Sequence, residues 1–168
     1  MKYVIKYFFA SKPERLNNAI IKQKKYYRLA QRYKNNYVLF KIYTCLWVRQ
    51  NLYIQLKLGC EVVPTSECSE VIFRHPIGII IGGGARLEKG VIVHQNVTFG
   101  ALKFDGIERR GIMCYQYVGE NSIIGAGAKI LGDVKIGKNC TVGANAVVTK
   151  DVPDNTTVVG YNKQIKNI

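Results

Sequence analysis

From residue 118 to residue 153 an aliphatic side chain returns at every sixth position. Written in sixes, the segment reads VGENSI, IGAGAK, ILGDVK, IGKNCT, VGANAV and VTKDVP. The first place holds Val118, Ile124, Ile130, Ile136, Val142 and Val148. The fifth holds Ser122, Ala128, Val134, Cys140, Ala146 and Val152, all small or β-branched. Glycine follows the aliphatic residue in four of the six, so neither strict helical nor strict hairpin patterning fits. A helix needs apolar residues every three or four positions, and a hairpin strand every two. A chain wound round a triangular prism needs one short strand and one turn per six residues, with the aliphatic residue inward. Glycine or asparagine relaxes each corner. Three sixes close a coil, so each inward residue stacks on its equivalent 18 places away, with coils about 4.8 Å apart. The pattern predicts a mainly β chain coiled as a parallel β-helix.

The same rule runs upstream through IGGGAR from 81, LEKGVI from 87 and VHQNVT from 93, with a further start at Phe99. Phe99 and Val118 are 19 residues apart, which is not a multiple of six. Residues 100–117 are therefore expected to leave the prism as an excursion and return. Loops thrown from a rigid scaffold tend to carry function. Counting sixes back from Ile81 puts His75 in a first place, where an aliphatic residue belongs. A polar ring there is costly without a partner.

Residues 1–60 read differently. Ser11-Lys12-Pro13-Glu14 has the form of a capping box opening a helix. Beyond it Ile20, Tyr27, Tyr33, Tyr37, Phe40, Tyr43 and Trp47 form a rough helical stripe with lysines opposite. The stripe either packs on the rest of the protein or a neighbouring subunit, or docks on a membrane surface or polyanion. A helix has two faces, so both uses stay open. The expected organisation is a basic helical region over 1–60 and a β-helix domain over 61–168.

Charge sharpens that division. Residues 1–60 carry thirteen Lys or Arg against the single acid Glu14, and residues 61–168 carry twelve against ten acids. So uneven a balance suggests an anionic partner for the first region. Nucleic acid is not expected, because no nucleic-acid motif accompanies the charge. The apolar stretch from Tyr37 to Leu56 is broken by Lys41, Arg49, Gln50 and Gln55, so a spanning helix is not expected. The opening ten residues are too short and too charged for a signal peptide. Five cysteines with no CxxC spacing argue against a disulfide framework or zinc ribbon. The expected compartment is the cytoplasm, with peripheral contact at the inner face of the membrane left open.

Residues 71–165 resemble the hexapeptide-repeat acyltransferases, in the branch of the serine acetyltransferases and polysaccharide O-acetyltransferases. The resemblance rests on HPIGIIIGGGARLEKGVIVHQNVTFG at 75–100, IIGAGAKILGDVKIGKNCTVGANAVVTKDVPDNT at 123–156 and GYNKQI at 160–165. It implies a left-handed coil, a homotrimer, acetyl-CoA as acyl donor in a groove between subunits, and a histidine general base. The chain's two histidines, His75 and His94, are the candidates, and His75 matches the family's catalytic position. Imidazole suits the task, since a hydroxyl attacks a thioester only as its proton is taken. For the donor the resemblance points to Ala126 and Ala144 along pantetheine, and to Thr149 and Lys150 near the adenine and phosphate end. Asn162 and Gln164 stand where the family's closing proline and basic residue belong, which leaves Lys163 or Lys166 for the 3′-phosphate. Lys103, Arg109, Arg110 and Tyr115 are expected to shape the acceptor pocket. Cys114 is read as a structural thiol rather than a nucleophile.

Three departures count against serine as acceptor: Arg74 replaces the aspartate before the first histidine, Tyr115 stands near the family's second site histidine, and the helical part is short. The leading expectation is therefore acetyl transfer to a sugar hydroxyl of a surface polysaccharide or its precursor. Serine O-acetylation, amino-sugar N-acetylation, and a catalytically silent trimeric scaffold binding a membrane or polyanion are the alternatives. No metal is expected; a three-histidine metal site of the γ-carbonic-anhydrase kind is disfavoured, since the chain has two histidines in all.

Overall fold

A computed structural model describes residues 11–68, 70–102 and 114–160. Among the described residues, two helices, α1 (Lys12–Arg32) and α2 (Tyr37–Leu58), precede thirteen short parallel strands. The strands build three faces. The first face holds β1 (Glu61–Val62), β3 (Ile80–Ile81), β6 (Thr98–Gly100), β9 (Lys129–Leu131) and β12 (Val147–Val148). The second holds β4 (Ala85–Leu87), β7 (Gln116–Val118) and β10 (Val134–Ile136). The third holds β2 (Ile72–Phe73), β5 (Ile92–Val93), β8 (Ile123–Ile124), β11 (Thr141–Val142) and β13 (Thr157–Val158). The chain visits the faces in turn, so the period of six is one side of a triangular coil.

Register shows what the repeat is for. Ile81, Phe99, Ile130 and Val148 stack inside the first face, and Phe73, Val93, Ile124 and Val142 inside the third. Leu87, Val118 and Ile136 stack inside the second. These side chains are almost wholly removed from solvent, each contributing on the order of 1.5–3 kcal/mol. The fifth-place residues are buried beside them, from Ser122 to Val152. Ser122 is polar yet satisfied: its hydroxyl donates to the Gly137 carbonyl at 2.9 Å and accepts from the Cys140 amide at 3.0 Å.

The corners work in two ways. Asn121, Asn139 and Asn145, at the fourth place, have φ of 57°, 52° and 57°. This left-handed region is tolerated by asparagine and glycine. The second-place glycines are needed for another reason, and here the expectation changes. A β-carbon on Gly125 would lie 2.7 Å from the Ala144 nitrogen and from the Val142 oxygen of the next coil. Close approach of successive backbones, rather than a relaxed corner, demands glycine there.

Ser11 opens α1 with its amide 2.8 Å and its hydroxyl 3.2 Å from the Glu14 carboxylate. The helix ends at Tyr33, and Asn36 caps α2 by accepting from the Leu39 amide at 3.1 Å. The aromatic stripe is thus split between two antiparallel helices. Tyr27 meets Trp47 edge-on at 5.5 Å, and Tyr33 stacks on Tyr43 at 5.7 Å. It holds the helices to each other rather than to the prism. Ile20, the stripe's first member, faces the β-helix instead and joins its core with Leu16, Ala19, Ile54 and Leu58. Gln23 Nε2 donates to the Val62 carbonyl at 2.8 Å, and Lys24 Nζ to the Ser66 carbonyl.

Two expectations about phase are corrected. Gly100 still belongs to β6, and Gln116 and Tyr117 already belong to β7, where Gln116 pairs with Ala85. Both ends of the segment expected to leave the prism at 100–117 are therefore strand, and its residues 103–113 lie outside the described residues. His75 does not occupy an inward place. Phe73 pairs with Val93 and fills it, because the turn from β2 to β3 holds two more residues than later turns at that edge. His75 is exposed, with φ of 49°.

Candidate active site

The edge where the third face turns into the first gathers most of the candidates. Each coil passes it once, contributing Arg74 to Gly78, then His94 to Asn96, then Gly125 to Gly127, then Gly143 to Asn145. Rung-to-rung bonds hold them in line. The Asn96 amide donates to the Ile77 carbonyl at 2.8 Å, the Gly127 amide to Gln95 at 2.9 Å, and the Asn145 amide to Ala126 at 2.8 Å. A turn of every coil is therefore stacked into a ribbon of exposed backbone. The structure brings His75, His94, Ala126 and Ala144 together along it.

His75 and His94 belong to adjacent coils. Arg74 donates its amide to the Val93 carbonyl at 2.8 Å, and His94 donates to the Ile124 carbonyl at 3.0 Å, so Arg74 and His94 are register neighbours. Among the described residues neither imidazole has a hydrogen-bond partner. His75 borders a hollow of about 410 Å³ lined by Lys12, Pro13, Phe73, Arg74, Pro76 and Ile77. His94 is half-buried. Beside it, the Oε1 atom of Gln95 is buried without a partner among the described residues, an acceptor that a donor group can satisfy. Ala126 is half-buried and Ala144 exposed, and among the described residues neither backbone N–H donates. Small side chains and unpaired amides are what an extended, amide-bearing chain needs to lie against.

Thr149, Lys150 and Tyr115 lie elsewhere. Thr149 and Lys150 follow β12, and Tyr115 precedes β7, so all three sit at the edge between the first and second faces. The Tyr115 carbonyl accepts from the Val134 amide at 3.1 Å. One chain thus carries its candidates on two edges with the first face between them. Lys103, Arg109, Arg110, Lys163 and Lys166 lie outside the described residues. Cys114 is half-buried, and its thiol donates to the Gly100 carbonyl at 3.4 Å.

Lys12 and Gln95 did not stand out in the sequence. A sequence signal for the corner did exist: Val71 and Phe73 repeat the buried pair of Ile79 and Ile81, two residues apart. Nearby, burial pushes the Cys60 thiol above its ordinary value of 9.0, against smaller lowering effects of an Ile79 backbone hydrogen bond and the Lys12 charge.

Residues 117–150 match the bacterial transferase hexapeptide (six repeats). The chain carries a hexapeptide-repeat β-helix. A serine acetyltransferase of Mycobacterium tuberculosis is 36% identical over 114 residues, covering 67% of this chain and 48% of that protein. Among solved structures, a serine acetyltransferase in complex with cysteine superposes with a TM-score of 0.72 at 26% identity. That match covers 96% of this chain and 57% of the other. A serine acetyltransferase in complex with CoA matches with a TM-score of 0.69 at 26% identity, covering 91% and 56%. The hexapeptide-repeat coil is left-handed, as in these neighbours. The chain spans about half the length of the curated relatives it matches. Among the described residues, no helix is long and apolar enough to cross a membrane.

Proposed function

We propose that this hexapeptide-repeat protein is an acetyl-CoA-dependent O-acetyltransferase of the serine acetyltransferase type. The observation that carries the reading is the stacked edge, which aligns His75 and His94 with the open amides of Ala126 and Ala144. An imidazole takes the acceptor hydroxyl proton as the oxygen attacks the thioester carbonyl carbon. The tetrahedral intermediate collapses, the carbon–sulfur bond breaks, and the proton passes from the imidazolium to the departing CoA thiolate. A corner amide is suited to hold the oxyanion. No metal enters this scheme.

The donor groove is proposed to need a second copy. Ala126 and Ala144 occupy one edge of a chain, Thr149 and Lys150 the next. Side-by-side prisms bring unlike edges of two copies together, and three copies close the ring. Lys163 or Lys166 then remains the proposed partner of the 3′-phosphate.

The names of the relatives favour an amino-acid hydroxyl, serine's, over the sugar hydroxyl expected from the sequence. Arg74 favours the second reading, a saccharide acceptor, because it puts a cation where serine's ammonium would need an acid. An acceptor screen by CoA thiol release decides between them. L-serine turnover supports the first, turnover of saccharides alone the second. No thiol release with any acceptor, together with no CoA binding, rejects both. The basic helices are proposed to meet an anionic surface: α2 exposes Ile42, Val48, Leu52 and Leu56 among Lys41, Arg49 and Lys57. Co-sedimentation with anionic but not neutral vesicles tests it.

A further inference from the structure

The hollow beside His75 has charge of one sign. Among its lining residues Lys12 and Arg74 are cationic, and none carries a carboxylate. Neither cation is ion-paired with an acid among the described residues. The acid closest in sequence to Lys12 is Glu14, and its carboxylate is already held by the amide and hydroxyl of Ser11. The remaining walls, Pro13, Phe73, Pro76 and Ile77, are apolar, and apolar walls strengthen a charge interaction by excluding water. A volume of about 410 Å³ lies within the usual range for small-molecule sites.

The geometry points to a hydroxyl acceptor that carries a carboxylate, gripped by Arg74 and Lys12 with its hydroxyl turned to His75. This rests on the transferase reading above and narrows it. A guanidinium fork matches a carboxylate with two parallel hydrogen bonds, and the lysine adds a point charge. No lining group answers an ammonium, so the carboxylate is the recognised group and an amino group is dispensable. A small hydroxy acid and a uronic saccharide share this chemistry; an amino acid shares the carboxylate but brings an ammonium that Lys12 and Arg74 disfavour.

The test is acetyl-CoA-dependent thiol release by the full chain with paired acceptors: glycerate against glycerol, L-serine against serinamide, glucuronate against glucose. In the pair that is used, the acid is expected to show a KM at least tenfold below that of its neutral counterpart. Which pair responds identifies the source of the carboxylate. Arg74→Gln is expected to raise KM for the acid at least tenfold more than for the neutral compound, with partial recovery in Arg74→Lys. Equal use of acid and neutral acceptors, or an Arg74→Gln enzyme with unchanged preference, overturns the inference. A second readout separates it from failure of the transferase reading. With only two histidines, His75→Asn assigns the imidazole resonances by NMR. Glycerate, but not glycerol, is expected to shift the His75 signals in the wild type and not in Arg74→Gln. No shift with any of the acids overturns the carboxylate site, whether or not thiol is released.

Discussion

The side-chain oxygen of Asn145 fills the space that a β-carbon on Gly127 would require one coil away. Both residues are left-handed, with φ of 57° and 74°. The same pairing recurs where Asn96 lies over Gly78, with φ of 58° and 63°. An asparagine can turn a corner here because its neighbour in the next coil has no side chain.

Gly127→Ala is therefore expected to destabilise the chain by roughly 1–3 kcal/mol, from left-handed strain and displacement of Asn145. Gly125→Ala is expected to cost more, although its φ is not left-handed. Its β-carbon would press on backbone atoms of the next coil at 2.7 Å, which cannot rotate away as an amide side chain can. Urea midpoints of the two variants check this ranking. Equal stability would contradict the distinction between corner and contact glycines.

Gln23 links the helices to the prism. Its Nε2 donates to Asn51 Oδ1 at 2.9 Å and to the Val62 carbonyl at 2.8 Å from a fully buried position. Gln23→Ala leaves a buried strand carbonyl unpaired, at a cost on the order of 1–3 kcal/mol. Hydrogen exchange is expected to speed up first at the Glu61–Val62 strand and the facing turns of α1. Uniform acceleration over all coils would show that Gln23 does not anchor this contact.

The stacked prism was legible because a period of six leaves few alternatives, and the 18-residue register followed from it. Ile124 with Val142 keeps that spacing, whereas Phe73 with Val93 is 20 residues apart, which is why the first corner was misread. Its two extra residues end in Ile79 and Ile81, which rejoin the count, so the shift at His75 left no break downstream. The break in phase before Val118 was legible for the opposite reason: Phe99 and Val118 are 19 residues apart, one more than a full coil. Tyrosine spacing concealed the turn between α1 and α2, although Asn35-Asn36 marked it. The hollow beside His75 was not legible at all. It needs Lys12 and Arg74, more than 60 positions apart, to meet through packing of a helix on a coil.

Cys60 is buried at the junction of α2 and β1, and burial is the largest influence on its thiol, raising it above 9.0. The folded chain then keeps a proton that the unfolded chain releases. With more protons bound in the folded state, stability falls as pH rises. The Cys60 contribution is complete below pH 9.0 and is lost on passing through the raised folded value. The thermal midpoint of the wild type is expected to drop more steeply above about pH 9 than that of Cys60→Ala. Parallel curves would remove Cys60 from the alkaline transition. In the same samples at neutral pH, alkylation is expected at exposed Cys45 and not at Cys60.

His75 and His94 stand on adjacent coils, but their surroundings differ, and that difference allows their roles to be separated. His75 opens on the hollow beside two cations, while His94 is half-buried next to the unpaired Gln95 oxygen. If His75 takes the acceptor proton, His75→Ala is expected to lower kcat by about 10²–10⁴-fold and leave CoA binding intact. His94→Ala is then expected to act mainly on KM, because a group that positions a substrate changes its binding before its chemistry. Steady-state kinetics on the two variants, with calorimetric titration of CoA, provide the comparison. A large fall in kcat confined to His94→Ala would transfer the base to the second coil and detach the hollow from the proton-transfer step.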